Sequence, residues 1–153
     1  MPRKKPKKGK DIRLAHSKQV RTEAAPTDHE RVSWGFARID WNGPWSMTTA
    51  VLENLVKNFF PSVESMTWAE ISRASGGRRT GNNHHSIEVK KLSKAAKLRL
   101  EEIHQDDVDC IFSLRVSAVV RIYGIRDGRQ FQILWYDPCH DQADKAVCPV
   151  KKR

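Results

Sequence analysis

Three strand-like runs crowd into the last third of the chain, and that clustering does most to limit what the chain can fold into. Cys110-Ile-Phe-Ser-Leu-Arg-Val116, Ala118-Val-Val-Arg-Ile-Tyr-Gly-Ile125 and Gln130-Phe-Gln-Ile-Leu-Trp-Tyr136 are rich in β-branched and aromatic residues, and polar and apolar side chains alternate along them. Asp127-Gly128 separates the second run from the third. Asp-Gly between alternating runs is a hairpin signal, because glycine accepts the positive φ that a two-residue turn demands. The link between the first two runs is equally short, so the three form an antiparallel meander. Such a meander needs an apolar layer over one face, and the preceding residues supply helices.

Upstream, Val32-Ser-Trp-Gly-Phe-Ala-Arg-Ile39 alternates with Trp34 and Phe36 on one side and reads as a strand, broken by Asn42-Gly43 and Pro44. Ser46 is a candidate N-cap for a helix from Met47 to Phe60, with Val51, Leu52, Leu55, Val56 and Phe59 as its apolar stripe and Pro61 as its stop. Thr67-Trp-Ala-Glu70 fits a capping box, with Met66 and Ile71 at the staple positions. Gly76-Gly77 ends that helix and opens a polar loop over 76–85. The loop lacks the Gly-Lys-Ser/Thr ending of a phosphate-binding P-loop, so it is either a surface loop or a looser backbone grip for phosphate. Leu92, Ala95, Ala96, Leu100 and Ile103 then mark one helix face, with Lys90, Lys94 and Lys97 on another. The expected fold is α+β: a four-stranded antiparallel sheet, the 32–39 strand joining the meander, with two or three helices packed on one face, in the order strand–helices–three-stranded meander.

The net charge of +10 over 153 residues belongs to the ends of the chain. Residues 1–22 carry nine basic side chains against Asp11 alone, and the last three residues are all basic, which leaves a net charge of −1 over 23–150. The expected organisation is a disordered basic arm over 1–30, a folded domain over 31–140 and a basic C-terminal tail over 141–153. The arm is too poor in apolar residues to offset its own ordering entropy. It serves either as a solubilising tail or as a sequence-indifferent contact to nucleic-acid phosphates. No run approaches the roughly 18–20 apolar residues of a membrane span. The first ten residues lack the apolar stretch of a secretory leader, so a cytoplasmic protein with reduced thiols is expected. Three cysteines at uneven spacing do not make a disulfide framework. Cys139, His140 and Cys148 lack both a Cys-x-x-Cys pair and a fourth ligand, so neither metal nor other cofactor is expected.

Alternation sorts the meander's side chains into two sets. Cys110, Phe112, Leu114, Val120, Ile122, Phe131, Ile133 and Trp135 suit a helix-covered core. Ser113, Arg115, Arg121, Tyr123, Gln132 and Tyr136 fall on the other side. That second set is either an ordinary exposed sheet face or an RNA-facing one, where guanidinium groups hold phosphate and tyrosine rings stack on unpaired bases. Asp137-Pro138 starts a turn that would hold His140 near the strand end, as a plain turn histidine or as a general acid or base.

The strand–helices–meander order, with Ser113-Leu-Arg115, Arg121-Ile-Tyr-Gly-Ile-Arg-Asp-Gly128 and Leu134-Trp-Tyr-Asp-Pro-Cys-His140, resembles the RelE-like family of small RNA-cleaving toxins over roughly residues 32–140. The resemblance implies a metal-independent endoribonuclease acting by 2′-hydroxyl attack. Arg115 and Arg121 would be phosphate clamps, Tyr123 a further substrate contact, and Tyr136 or His140 the acid–base group. It also implies RNA or the ribosome as target and a cognate antitoxin as partner. The alternative from another class is a non-catalytic module that binds nucleic acid or protein through its sheet or its basic arm.

Overall fold

The computed structural model describes residues 27–74 and 84–149. Within them the elements run β1 (Ser33–Gly35), α1 (Thr49–Asn58), α2 (Phe60–Glu64), α3 (Trp68–Arg73), β2 (His84–Glu88), a single 3₁₀ turn (Val89–Lys91), α4 (Lys94–Glu102), β3 (Cys110–Arg115), β4 (Arg121–Asp127) and β5 (Gln130–Asp137). The fold is α+β, and the described strands form one mixed sheet ordered β1-β5-β4-β3-β2. The meander forms where its alternation predicts, and Gly128, at φ +60°, is the first central residue of the β4–β5 turn.

Two features of the sheet correct the expected four antiparallel strands. β1 is short and runs parallel to β5, Ser33 lying opposite Gln130 and Gly35 opposite Gln132. His84 and His85, expected in the polar loop, open a fifth strand, β2, which pairs antiparallel with β3 from His84–Leu114 to Glu88–Cys110. Ile87 is the one buried apolar residue of β2. Its extended form comes from pairing with β3 rather than from its own weak alternation.

The helices follow their caps. Thr48, not Ser46, caps α1, its Oγ1 accepting from Val51 N at 3.2 Å. Pro61 lies in the first turn of α2 instead of ending the helical stretch, a position where its missing N–H has no helical partner to lose. The Thr67–Glu70 capping box is present: Glu70 N donates to Thr67 Oγ1 at 3.2 Å, and Thr67 N donates to Glu70 Oε2 at 2.7 Å.

Apolar layers cover both faces of the sheet, which corrects the expectation of one open face. On the first, Leu55, Phe60, Trp68 and Ile71 of α1–α3 pack on Phe112, Leu114, Ile122, Phe131 and Ile133. On the second, Ala96 and Leu100 of α4, with Trp45 and Val147, pack on Ile111, Tyr123, Ile125, Leu134 and Trp135. Asp40 binds this second layer together. It accepts Arg99 Nε and Nη2, both at 2.8 Å, Trp135 Nε1 at 3.0 Å and Asn42 N at 3.1 Å. Burial works to raise its pKa, but these donors and the Arg99 charge hold it below the usual carboxylate range.

The alternation of β5 breaks at an irregularity in the β4–β5 register, where Tyr123 pairs with Trp135 but Gly124 pairs with Ile133. The extra residue, Leu134, puts Trp135 on the Tyr123 side and turns Tyr136, opposite Ile122, to the first layer.

The folded region also passes the expected boundaries. Ala146 and Val147 are buried, Trp45 Nε1 donates to Lys145 O at 2.8 Å, and Ser93 N donates to Val147 O at 2.9 Å, so 141–149 belongs to the fold rather than to a tail. At the other end Asp28 pairs with Arg126 at 2.6 Å, and Trp68 N donates to Glu30 O at 3.0 Å. Residues 1–26 of the expected 1–30 arm, most of the 76–85 loop and residues 150–153 lie outside the described residues.

Gly124 sits where the strands leave no room for a side chain. A Cβ there would lie 2.5 Å from Gln132 O and 2.5 Å from the Phe131 ring. Gly124→Ala is therefore expected to lose about 1–3 kcal/mol, the usual cost of overpacking, read as a lower urea midpoint with an unchanged slope.

Candidate functional site

At one end of the second face the strands bring basic side chains into register. Arg115 on β3 lies opposite Arg121 on β4, which lies opposite Asp137 on β5. Two pairs further in, on the same face, His85 on β2 lies opposite Ser113, and Ser113 opposite Tyr123. The β3–β4 connection folds over this end. Arg121 Nη1 donates to Ser117 O at 2.6 Å and Val120 O at 3.0 Å, and Arg115 Nε donates to the same Ser117 O at 3.3 Å. Two guanidinium groups thus meet at one carbonyl oxygen. His140 reaches the same connection through its backbone, whose N–H donates to Val119 O at 2.9 Å.

Asp137 determines where His140 lies. Its buried carboxylate accepts Cys139 N at 2.8 Å through Oδ1 and Val147 N at 2.9 Å through Oδ2. The first bond closes the Asp-Pro turn that the sequence predicts. Burial pushes the Asp137 pKa up, against the pull of these two N–H groups and of Arg121. Arg121, 9% exposed, has its pKa lowered by burial and then by the Arg115 charge, with Tyr123 and Asp137 opposing.

Burial, then the charges of Arg121, His85 and Arg115, push His140 down to about 4, with Asp141 acting in the other direction. Its imidazole is therefore neutral at pH 7, and its buried Nδ1 meets no hydrogen-bond partner among the described residues. His84, on the neighbouring pair, accepts Arg115 N at 3.0 Å through Nδ1, and burial and Arg121 lower its pKa as well. The cluster is cationic, and its imidazoles resist adding further positive charge.

Arg115, Arg121 and His140, three of the residues singled out from the sequence, come together here. The other two do not serve as expected. Tyr136 projects to the opposite face, beside Val51, Leu55 and Val120, around a cleft of about 300 Å³. Tyr123 shares the face but is wholly buried, so its ring is closed to a base; burial, the largest influence, raises its pKa. The Tyr123 and Ser113 hydroxyls make no well-formed hydrogen bond among the described residues, though Ser113 is near enough to act on the phenol pKa in the downward direction. Asp137 and His85 were not singled out. Asp137 looked like a turn former only, and His85 lay in a polar stretch with no strand signal of its own.

Among the described residues no three His, Cys, Asp or Glu side chains are grouped to hold a metal ion, and no helix is long and apolar enough to cross a membrane. Comparisons with protein-family models, curated proteins and solved structures find no match to this chain.

The depressed His140 pKa ties stability to pH. Between its ordinary 6.5 and the folded value of about 4, the unfolded chain binds a proton that the folded chain refuses. The stability this group contributes is complete above 6.5 and is lost as pH falls through that window. The urea midpoint should therefore fall from pH 7 to pH 5. His140→Gln should show a smaller fall, with His84 supplying the remainder.

Proposed function

We propose that this chain is an endoribonuclease that cleaves RNA by attack of the 2′-hydroxyl on the adjacent phosphodiester, with Arg115 and Arg121 holding the phosphate and His140 moving a proton. The observation that carries this reading is the convergence of both guanidinium groups on Ser117 O beside a neutral imidazole. A phosphodiester bound there replaces part of the hydration that Arg121 loses on burial and neutralises the mutual repulsion of the two arginines.

In the reaction the 2′-oxygen forms a bond to phosphorus as the bond from phosphorus to the 5′-oxygen breaks. The imidazole accepts the 2′-hydroxyl proton, and a proton reaches the departing 5′-oxygen. Negative charge grows on the non-bridging oxygens, where the guanidinium groups stabilise it. The bound phosphate also raises the proton affinity of His140, which the arginines alone suppress. Tyr136, on the far face, has no part in this scheme.

The RelE-like resemblance adds a biological setting: a toxin acting on cytoplasmic messenger RNA, with or without the ribosome, and held in check by an antitoxin. The chain should cleave RNA in EDTA to 2′,3′-cyclic phosphate and 5′-hydroxyl ends. Arg115→Ala and His140→Ala should each lower the rate by about 10²–10⁴-fold, the usual loss for a clamp or an acid–base group. RNA retained without cleavage would instead support the non-catalytic binding module.

A further inference from the structure

We infer that the cleft between α1 and the β3–β4 connection is a nucleobase subsite, in which the ring of Tyr136 stacks on the base of a nucleotide flanking the scissile phosphate. This rests on the endoribonuclease reading and adds to it a grip on the part of the RNA that the arginines leave unheld.

A shared wall carries the inference. The cleft, about 300 Å³, lies between Val51 and Leu55 of α1, Val116 and Val120 of the connection, and Tyr136 of β5. The backbone of the same connection serves the cationic end. Ser117 O accepts from Arg115 and Arg121, Val120 O accepts from Arg121, and Ser117 and Val120 both line the cleft. Tyr136 belongs to that end of the sheet as well. It directly precedes Asp137, the pairing partner of Arg121, and packs on the first layer. A residue spans at most about 3.6 Å along the chain, so a phosphate beside Ser117 O has the cleft within reach of its own sugar and base. The wall is also held in shape. Val116 N and Ser117 N donate to Val120 O at 3.0 and 3.3 Å, and Val120 N donates to Ser117 Oγ at 3.2 Å. A preformed wall lowers the ordering cost of binding.

The chemistry of the cleft selects the occupant. None of the described residues lining it is charged, although two guanidinium groups meet at the connection that forms its wall. A ligand that fills both places joins an anion to an uncharged body, and a nucleotide is such a molecule. Its base has flat apolar faces and a polar edge. Valine and leucine side chains and the Tyr136 ring suit the faces. Donors suit the edge. Asn54 Oδ1 accepts Asn58 Nδ2 at 2.9 Å, which leaves the Asn54 amide N–H groups to donate. Ser117 Oγ accepts Val119 N and Val120 N, which leaves its O–H to donate. The volume is at the small end of the roughly 300–1,000 Å³ typical of ligand sites, which suits a single base. Tyr136 thereby positions the substrate and moves no proton.

The test compares the full wild-type chain with Tyr136→Phe and Tyr136→Leu on a short RNA and on a series in which one abasic ribose is moved along it. Cleavage is read on the RNA series, and binding by fluorescence anisotropy on the same series as 2′-fluoro RNA, which lacks the attacking hydroxyl. Wild type should lose about 5–150-fold in both where the missing base adjoins the scissile phosphate, the usual worth of one stacked base. Tyr136→Leu should show that loss on the unmodified RNA and little further loss on the abasic one, because both changes remove the same contact. Tyr136→Phe keeps the ring and should stay within a few-fold of wild type. Wild type indifferent to every abasic position would overturn the subsite, the result expected of a cleft that takes an apolar peptide instead. Equal losses for the Phe and Leu variants, or Tyr136→Leu and abasic losses that add in full, would overturn it too. If wild type cleaves no RNA, the endoribonuclease reading fails and the binding series decides the subsite alone. An affinity that depends on one base and is lost in Tyr136→Leu keeps it; an affinity that is absent or blind to the base removes it. Should a lowered urea midpoint show that Tyr136→Leu misfolds, the wild-type series and Tyr136→Phe decide.

Discussion

The buried carboxylate of Asp137 ties together two parts of the molecule that meet at the end of the sheet. One oxygen closes the turn that carries His140, and the other holds Val147, the last core residue of the second layer. Each oxygen accepts a backbone N–H, and Asp137 forms no ion pair with Arg121, its partner across β4–β5, although the two charges act on one another. That leaves the Arg121 charge available at the end of the sheet. A direct Asp137–Arg121 bridge would have cancelled it and left a neutral strand end. Burial raises the pKa of Asp137 against the pull of two N–H donors and a nearby guanidinium.

The irregularity in β5 makes the second constraint. Placing Leu134 and Trp135 on the same side as Tyr123 fills the second face with large side chains and gives α4 an apolar surface to pack on. It also returns Tyr136 to the first face. One extra residue therefore accounts both for a sheet sandwiched between layers and for the loss of a tyrosine from the cationic end. Arginine and histidine are the basic side chains left at that end, and the phenol that remains there, Tyr123, is core material.

These two constraints explain what could be read from the sequence. The meander, its hairpin turn and the Thr67–Glu70 capping box are local: each rests on residues within a few positions of one another, and each forms as predicted. So does the shared face of Arg115 and Arg121, because alternation is unbroken through β3 and across to β4. What escaped is non-local. β2 needs β3 to be a strand, β1 takes its parallel direction from β5, and the bulge is invisible in a run that alternates as well as Gln130–Tyr136 does. The role of 141–149 escaped for a related reason. Ala146 and Val147 are two small apolar residues in a polar stretch, and nothing nearby announces that Trp45 and Ser93 wait for them.

The near-neutral charge of residues 23–150 is compatible with an anion site because charge acts locally. The acidic residues of the second layer are already committed: Asp40 to Arg99 and Trp135, Asp137 to backbone N–H groups. The carbonyls of Ser117 and Val120 solvate Arg121 without neutralising it. Burial strengthens whatever field remains, since low dielectric favours an opposite charge there more than it would on an open surface. The anion site proposed above would therefore depend on where the core locks away its carboxylates, and a basic composition of the folded region is not required.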